Sequence, residues 1–217
     1  TGQPPDPAHG GIERLATIDV PDERLDHLFE AYKPKKKVPA HLEFLDLPGI
    51  SLDDAHGQAE FRTHMATVRQ CYGIVIVVRA FASDSVAAYR DRIDPKADLD
   101  ELHTELVFAD LEQVINRIHK LEKAVLKPAK THDEEMRELA LMRRTQEALE
   151  NEKPVSTAIH NEEEQIIATG FGFLTLKPAI VVVNVSEGDA TKPPPFQAAH
   201  AEATMAMAAE LEAEISQ

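Results

Sequence analysis

Two clusters of polar residues, each at the end of an apolar run, have the types and spacing needed to bind a phosphorylated ligand. The first is Asp46-x-x-Gly49, which ends the run 41–50. An aspartate at the end of a strand can bind Mg²⁺ through a water molecule, and the glycine after it lets a backbone N–H approach a phosphate. The second is Asn184-x-x-Glu187, which ends the run 179–185. Ligands lie beyond the carboxyl ends of the strands in open α/β sheets, so both clusters are candidate binding residues.

Neither cluster is specific by itself. Asp-x-x-Gly is a common pattern, and the polarity of Asn184 and Glu187 is also what the end of a buried strand requires. In guanine-nucleotide proteins the corresponding strand ends in Asn-Lys-x-Asp, whose aspartate accepts two hydrogen bonds from guanine. Glu187 carries its carboxylate on a longer side chain, which weakens the selection for guanine.

The elements that would position these residues are those of an α/β fold. The apolar runs 41–50, 73–78 and 179–185 predict buried strands, the second of them in the middle of a parallel sheet, and 16–20 predicts a shorter strand. Helices are predicted from Asp22 to Tyr32, from Asp54 to about Gln70 and from Asn161 onwards. Residues 196–217 are rich in alanine, methionine and glutamate, and propensity alone predicts one helix there.

A helical hairpin is predicted between residues 94 and 160. Apolar residues recur at helical spacing from Leu99 to Val125, Pro128 interrupts the pattern, and a second amphipathic helix follows over 133–150. We therefore divide the chain into 1–93 and 161–217, which together form the α/β domain, and the hairpin insertion 94–160. The hairpin is either an ordinary helical subdomain or a docking arm for a partner protein.

Composition limits the classes of protein to be considered. The chain has 217 residues, of which 43% are hydrophobic, so it can bury a core. A single cysteine, Cys71, excludes an internal disulfide, and no apolar run is long enough to span a membrane. None of the ten histidines has the spacing of a metal site. We therefore expect a cytoplasmic protein without membrane contact.

Charge is distributed unevenly along the sequence. The net charge of −15 argues against non-specific binding of nucleic acid over the whole surface. A local basic cluster nevertheless surrounds Pro34, formed by Lys33, Lys35, Lys36 and Lys37. This cluster is either a solvated loop or a contact with the phosphates of RNA or of another polyanion.

Taken in order, the segments of this chain resemble the YchF/Obg-like ATPase family of P-loop GTPases. The resemblance covers nearly the whole chain from about residue 18. It rests on VPDERLD (20–26), FLDLPGI (44–50), VIVVRAF (75–81), DPKADL (94–99), TELVFADLE (104–112), LKP (176–178) before NVSE (184–187), and LEAEI (211–215).

The resemblance implies a Rossmann-like P-loop NTPase core with a mainly parallel sheet and an inserted, coiled-coil-like helical hairpin. It also implies slow hydrolysis of bound ATP or GTP with Mg²⁺, and contact with the ribosome or RNA. Asp46 and Gly49 would face Mg²⁺ and the γ-phosphate, and Asn184 and Glu187 would face the purine base. The loop behind the base would consist of Ala208, Ala209 and Glu210. Part of the segment 203–207 before it would then be a strand.

The chain also departs from the family in ways that leave its activity open. No G-x-x-x-x-G-K-[ST] motif occurs in the 217 residues, so the chain is expected to begin just after it, and the family's small C-terminal β domain is missing. Ile50 stands where a Ras-like protein has its catalytic glutamine, so no catalytic residue is identified. The alternative is a nucleotide-inert scaffold that uses the helical hairpin as a protein-interaction module.

Overall fold

Helices and strands alternate along most of the chain in the computed structural model, which describes residues 14–48, 55–83, 88–127 and 130–215. The strands are β1 (Arg14–Asp19), β2 (His41–Asp46), β3 (Ile74–Ala80), β4 (Ala179–Val185) and β5 (Ala203–Met207). The helices are α1 (Glu23–Tyr32), α2 (Ala55–Val68), α3 (Pro95–Ala124), α4 (His132–Glu150), α5 (Glu162–Phe171) and α6 (Ala209–Ile215). Short 3₁₀ turns occupy Tyr89–Asp91, Val155–Ala158, Leu174–Leu176 and Glu187–Asp189. The chain divides into two compact units, with the boundary between Phe61 and Arg62.

The first unit contains a two-stranded sheet and α1. Asp22 caps the helix as predicted, because its carboxylate accepts a hydrogen bond from the backbone N–H of Arg24 at 2.9 Å. Strands β1 and β2 pair antiparallel, with Arg14 opposite Asp46. The prediction of a buried parallel strand over 41–50 is therefore wrong for β2, whose residues are mostly exposed. An apolar run indicates a strand, but the direction of pairing depends on a partner elsewhere in the chain.

The second unit is built on a parallel sheet in the order β3-β4-β5, which confirms the prediction of a mainly parallel sheet. One face of this sheet carries a core that includes Val78, Val181 and Val183. The central position predicted for the run 73–78 is wrong for the described sheet, because β3 lies at its edge. On the opposite face Val75 and Val77 are 48% and 61% exposed.

Residues 196–217 do not form the single helix that propensity predicts. Ala203–Met207 is strand β5, and the helix of this segment, α6, covers only Ala209–Ile215. Pairing with β4 along its full length supplies hydrogen bonds and side-chain contacts that outweigh the helix propensity of alanine and methionine. The strand implied by the family resemblance is therefore present.

The predicted helical hairpin is confirmed as α3 and α4, which follow each other in the sequence and pack against each other. Their shared core includes Val114, Ile118, Leu121 and Met142. Helix α4 also packs on Val155–Ala158 and on α5, so it is buried on more than one side. The hairpin is thus part of the second unit's core along much of its length.

A buried carboxylate connects the hairpin to the segment that leads into β4. Asp110 of α3 is fully buried and accepts hydrogen bonds from the backbone N–H groups of Leu174 and Thr175, at 3.0 and 2.9 Å. The guanidinium of Arg69 donates to the same carboxylate at 2.6 Å. Nearby, Gly172 has a φ of 61°, and a Cβ there would lie 2.7 Å from the carbonyl oxygen of Arg69.

None of the described helices has an apolar stretch long enough to cross a membrane.

Candidate functional site

The carboxyl ends of the three parallel strands bring several of the predicted binding residues together. Asn184 is the penultimate residue of β4, and the strand register places it between Arg79 of β3 and Met207 of β5. Its side-chain oxygen, Oδ1, accepts a hydrogen bond from the backbone N–H of Ala209 at 3.0 Å. The end of β4 is therefore tied to the segment 208–210, which connects β5 to α6.

The other two residues of this segment differ in exposure. Ala208 is buried against the sheet core, while the side chain of Glu210 is exposed in the first turn of α6. Among the described residues, the amide nitrogen Nδ2 of Asn184 donates no hydrogen bond. Asn184 can thus hold the loop with its oxygen while its nitrogen stays available to a ligand.

Glu187 begins the 3₁₀ turn that follows β4, and its side chain is exposed. Two other side chains fix this turn: Ser186 Oγ donates to Asp189 Oδ2 at 2.9 Å, and Lys192 Nζ donates to Asp189 Oδ1 at 2.6 Å. The bond from Lys192, helped by that from Ser186, lowers the pKa of Asp189 below its usual value. The side chain of Asp189 is therefore committed to the turn, whereas the carboxylate of Glu187 has no partner among the described residues.

Sequence reasoning did not identify the residues that shape this turn. Their signal is the spacing Ser-x-x-Asp-x-x-Lys over 186–192, which puts a hydroxyl and an ammonium on either side of one carboxylate. Such a pattern stabilises a turn but does not by itself indicate a ligand.

Arg79 adds a positive charge to the same edge of the sheet. Its Nε donates to the carbonyl oxygen of Phe81 at 2.9 Å, and its guanidinium carbon lies 4.8 Å from the centroid of the Phe81 ring. The edge thus presents a cation, an amide and a carboxylate within one set of strand ends. A purine base, with ring acceptors and N–H donors, can use such a mixed set of groups.

The residues predicted on the phosphate side belong to the first unit and are described separately. Asp46 is the last residue of β2 and is exposed, so its carboxylate is accessible, although the strand before it is antiparallel and not the buried parallel strand that was predicted. Gly49 lies outside the described residues. The pairing of these two residues with a phosphate remains a prediction.

Within the described part of the chain, no three His, Cys, Asp or Glu residues form a group that could hold a metal ion. One carboxylate such as Asp46 still fits Mg²⁺ bound with a nucleotide, because Mg²⁺ keeps several waters and takes phosphate oxygens as ligands. Asp46 would then hold the ion through water, and the ion would neutralise charge on the phosphates.

Comparison with models of protein families gave no match. Individual relatives are nevertheless clearly similar. The chain is 34% identical over 180 residues to the ribosome-binding ATPase YchF of Bacillus subtilis (strain 168), a match that covers 82% of this chain and 48% of that protein. It is also 34% identical over 175 residues to Obg-like ATPase 1 of Oryza sativa subsp. indica, covering 80% of this chain and 44% of that protein.

A solved structure agrees with these relatives. The YchF GTPase of Schizosaccharomyces pombe matches with a TM-score of 0.63 at 31% identity, covering 81% of this chain and 47% of that one. The prediction of a P-loop GTPase type of α/β core is thereby confirmed. The chain spans about half the length of the relatives it matches. Similar sequences from a bacterium and a plant, together with a matching fold, lead to one conclusion: the chain belongs to the YchF/Obg-like ATPase family.

Proposed function

We propose that this chain is the base-binding part of an ATP- or GTP-dependent switch that acts on the ribosome in the cytoplasm. The observation that carries the proposal is the hydrogen bond from the Ala209 N–H to Asn184 Oδ1 at the carboxyl end of the parallel sheet. This bond holds the segment 208–210 behind the place where a base would lie. The names of the relatives, which include ribosome-binding ATPases, support the choice of nucleotide and partner.

Each predicted binding residue has a separate proposed task within its own unit. Glu187 accepts a hydrogen bond from an amino group of the purine, which both adenine and guanine can offer. Asn184 fixes the loop behind the base, and Asp46 holds Mg²⁺ through water beside the phosphates. Gly49 donates its backbone N–H to the γ-phosphate.

Hydrolysis is proposed to be slow. Ile50 cannot orient a water molecule, so the attacking water lacks the side chain that positions it in Ras-like proteins. The phosphate-binding loop motif is also not present in the 217 residues. The switch would therefore stay in its triphosphate state until a partner supplies the missing group.

The first test is binding of fluorescent ATP and GTP in the presence of Mg²⁺, measured on this chain and on the full-length product of its gene. We expect Asn184→Ala to weaken the binding of both nucleotides about fivefold, as loss of one hydrogen bond predicts. We expect Glu187→Asp to raise the GTP-to-ATP affinity ratio about tenfold, because a shorter carboxylate suits guanine.

Glu162→Asp is the matched control, since Glu162 is an exposed glutamate at the start of α5. It should leave both affinities unchanged. If neither protein binds either nucleotide at millimolar concentration, the switch proposal is wrong.

A nucleotide-inert scaffold is the second candidate. It is favoured by exposed apolar side chains on the hairpin, among them Phe108, Leu126 and Met136. In that case the α3–α4 hairpin would bind a partner protein, coiled-coil fashion, without any effect of ATP or GTP. Nucleotide-independent capture of one defined partner, abolished by Leu126→Glu, would favour the scaffold.

A further inference from the structure

An exposed loop with one aromatic and several basic residues joins α1 to β2 in the first unit. Tyr32, the last residue of α1, is 80% exposed. Lys33, Lys35 and Lys36 follow on either side of Pro34, and all three side chains are exposed. Among the described residues, none forms an ion pair with these three lysines. Their charges are therefore available to a partner.

The loop is held at both ends rather than left loose. Lys33 adopts the left-handed conformation, with a φ of 45°, and closes the end of α1. Further along, the ammonium of Lys37 forms an ion pair with Asp26 of α1. The backbone N–H of Val20 donates to the carbonyl oxygen of Ala40 at 2.8 Å, which fixes the start of β2 beside the end of β1. The free lysines thus lie between fixed points, which limits the entropy lost when they bind.

These residue types fit single-stranded RNA. A lysine ammonium is a compact point charge that binds the oxygens of a phosphate. An exposed aromatic ring beside a basic segment offers a stacking surface to a base, worth about 1–3 kcal/mol per base. A carboxylate-bearing protein partner would make no such use of the ring.

The charge of the whole chain limits where a polyanion can bind. With a net charge of −15, most of the surface repels RNA, so a local cluster of unpaired lysines determines the site of contact. We infer that the loop formed by residues 32–37 binds a single-stranded segment of RNA on the ribosome, with Tyr32 stacked on a base and the lysines on phosphates. This inference rests on the ribosome contact proposed above.

The test is fluorescence anisotropy with a short fluorescein-labelled single-stranded oligouridylate over a range of KCl concentrations. Replacing Lys33, Lys35 and Lys36 together by alanine should reduce the slope of log K against log[salt] by about 2, because each phosphate contact on a single strand contributes about 0.7. Tyr32→Ala should weaken binding roughly tenfold at constant salt, while Tyr32→Phe should keep the affinity.

The chain offers matched controls for both changes. Tyr72 is 91% exposed, so Tyr72→Ala removes an equally accessible ring and should leave the affinity unchanged. Replacing Lys120, Lys123 and Lys127 by alanine removes the same charge from exposed positions of the hairpin. Equal losses from the two triple variants, or a loss from the hairpin variant alone, would overturn the inference.

Competitors separate RNA from other anions. Unlabelled RNA should displace the probe, and Mg²⁺-ATP or polyglutamate at the same charge concentration should not. Displacement by ATP would assign the lysines to a free nucleotide, and displacement by polyglutamate would assign them to an acidic protein; either result contradicts the inference.

Co-sedimentation with ribosomes distinguishes failure of this inference from failure of the proposed function. If the unaltered chain sediments with ribosomes and the loop variants do not, the result supports both the proposed function and the inference about the loop. If the unaltered chain and the loop variants sediment equally, the ribosome contact stands and the inference about the loop is wrong. If the unaltered chain does not sediment at all, the ribosome contact fails, and the inference fails with it.

Discussion

At the scale of single residues, the side chain of Asp110 connects α3 to the segment that leads into β4. It is fully buried and accepts hydrogen bonds from Arg69, Leu174 and Thr175. Asp110→Ala leaves two backbone N–H groups without an acceptor. It also removes the carboxylate from the partly buried guanidinium of Arg69, which keeps only carbonyl oxygens as acceptors. We predict that it lowers the free energy of unfolding by about 3–5 kcal/mol, measured by urea denaturation followed by circular dichroism.

Glu112→Ala is the control for Asp110→Ala, because Glu112 is an exposed carboxylate on the same helix. Its free energy of unfolding should stay within about 0.5 kcal/mol of the unaltered chain. A similar loss in both variants would mean that any charge change in α3 destabilises the fold, and the role given to Asp110 would be wrong.

A pair of stacked histidines makes stability depend on pH. The rings of His103 and His200 have centroids 4.1 Å apart and planes 3° apart. Burial lowers the pKa of His103 from its usual value of 6.5, and the neighbouring His200 lowers it further, against the opposing effect of Asp100. Between the folded and the unfolded pKa, the unfolded chain therefore binds more protons than the folded chain. This contribution to stability is complete above the unfolded pKa and is lost as the pH falls through the folded one.

We predict that the melting temperature of the chain falls as the pH is lowered from about 7.5 to about 5.5, and that His103→Gln makes this fall smaller. The measurement is thermal unfolding by circular dichroism across that range. His119→Gln, at an exposed position of the same helix, should keep the slope of the unaltered chain. An undiminished slope in His103→Gln would show that other groups control the pH dependence.

How far single residues can be predicted from sequence depends on the distance to their partners. The position of Asn184 at a strand end follows from the apolar run before it, whereas the bond to Ala209 spans 25 residues and only the family resemblance suggested a common site. Asp110 shows the opposite case, since its partners Arg69 and Leu174 are 41 and 64 residues away. No local pattern distinguishes a buried aspartate of this kind from an exposed one.

At the scale of elements, two adjacent residues of α4 allow the contribution of core packing to be compared with that of a surface ion pair. Met142 is fully buried in the shared core, whereas Arg143 is exposed and donates to Glu122 Oε1 at 2.9 Å. We predict that Met142→Ala costs about 2–5 kcal/mol and Arg143→Ala less than about 1 kcal/mol, both by urea denaturation. Equal costs would mean that ion pairs hold the hairpin as much as its core does.

Helices and strands could be predicted from the sequence where the interactions that form them lie close together along the chain. Helices α1, α3, α4 and α5 follow from apolar spacing and caps, which lie within a few turns of the chain. The pairing direction of β2, the edge position of β3 and the strand at Ala203–Met207 depend on contacts between distant segments. Intrinsic preference could not supply these features, and for β5 it favoured the wrong element.

At the scale of the whole molecule, buried side chains are concentrated in the second unit. Over 14–48 no side chain of the first unit is buried, and its sheet has two strands in the described residues. The second unit has two buried clusters, one under the sheet and one in the hairpin. Because two-stranded sheets are marginally stable by themselves, local opening of the first unit should cost much less free energy than opening of the second.

We therefore predict that amides of β1 and β2 exchange with deuterium at least roughly 100-fold faster than those of β4 and α4 in the free chain, measured by hydrogen exchange with mass spectrometry. The residues of helix α1 are not buried, so its amides should exchange at rates similar to those of β1 and β2. If the first unit carries the RNA contact, oligouridylate should slow exchange in β1 and β2 while leaving β4 almost unchanged, because a ligand stabilises the element that it binds. Equal protection of β2 and β4 in the free chain would contradict this prediction, since the first unit would then be as stable as the second.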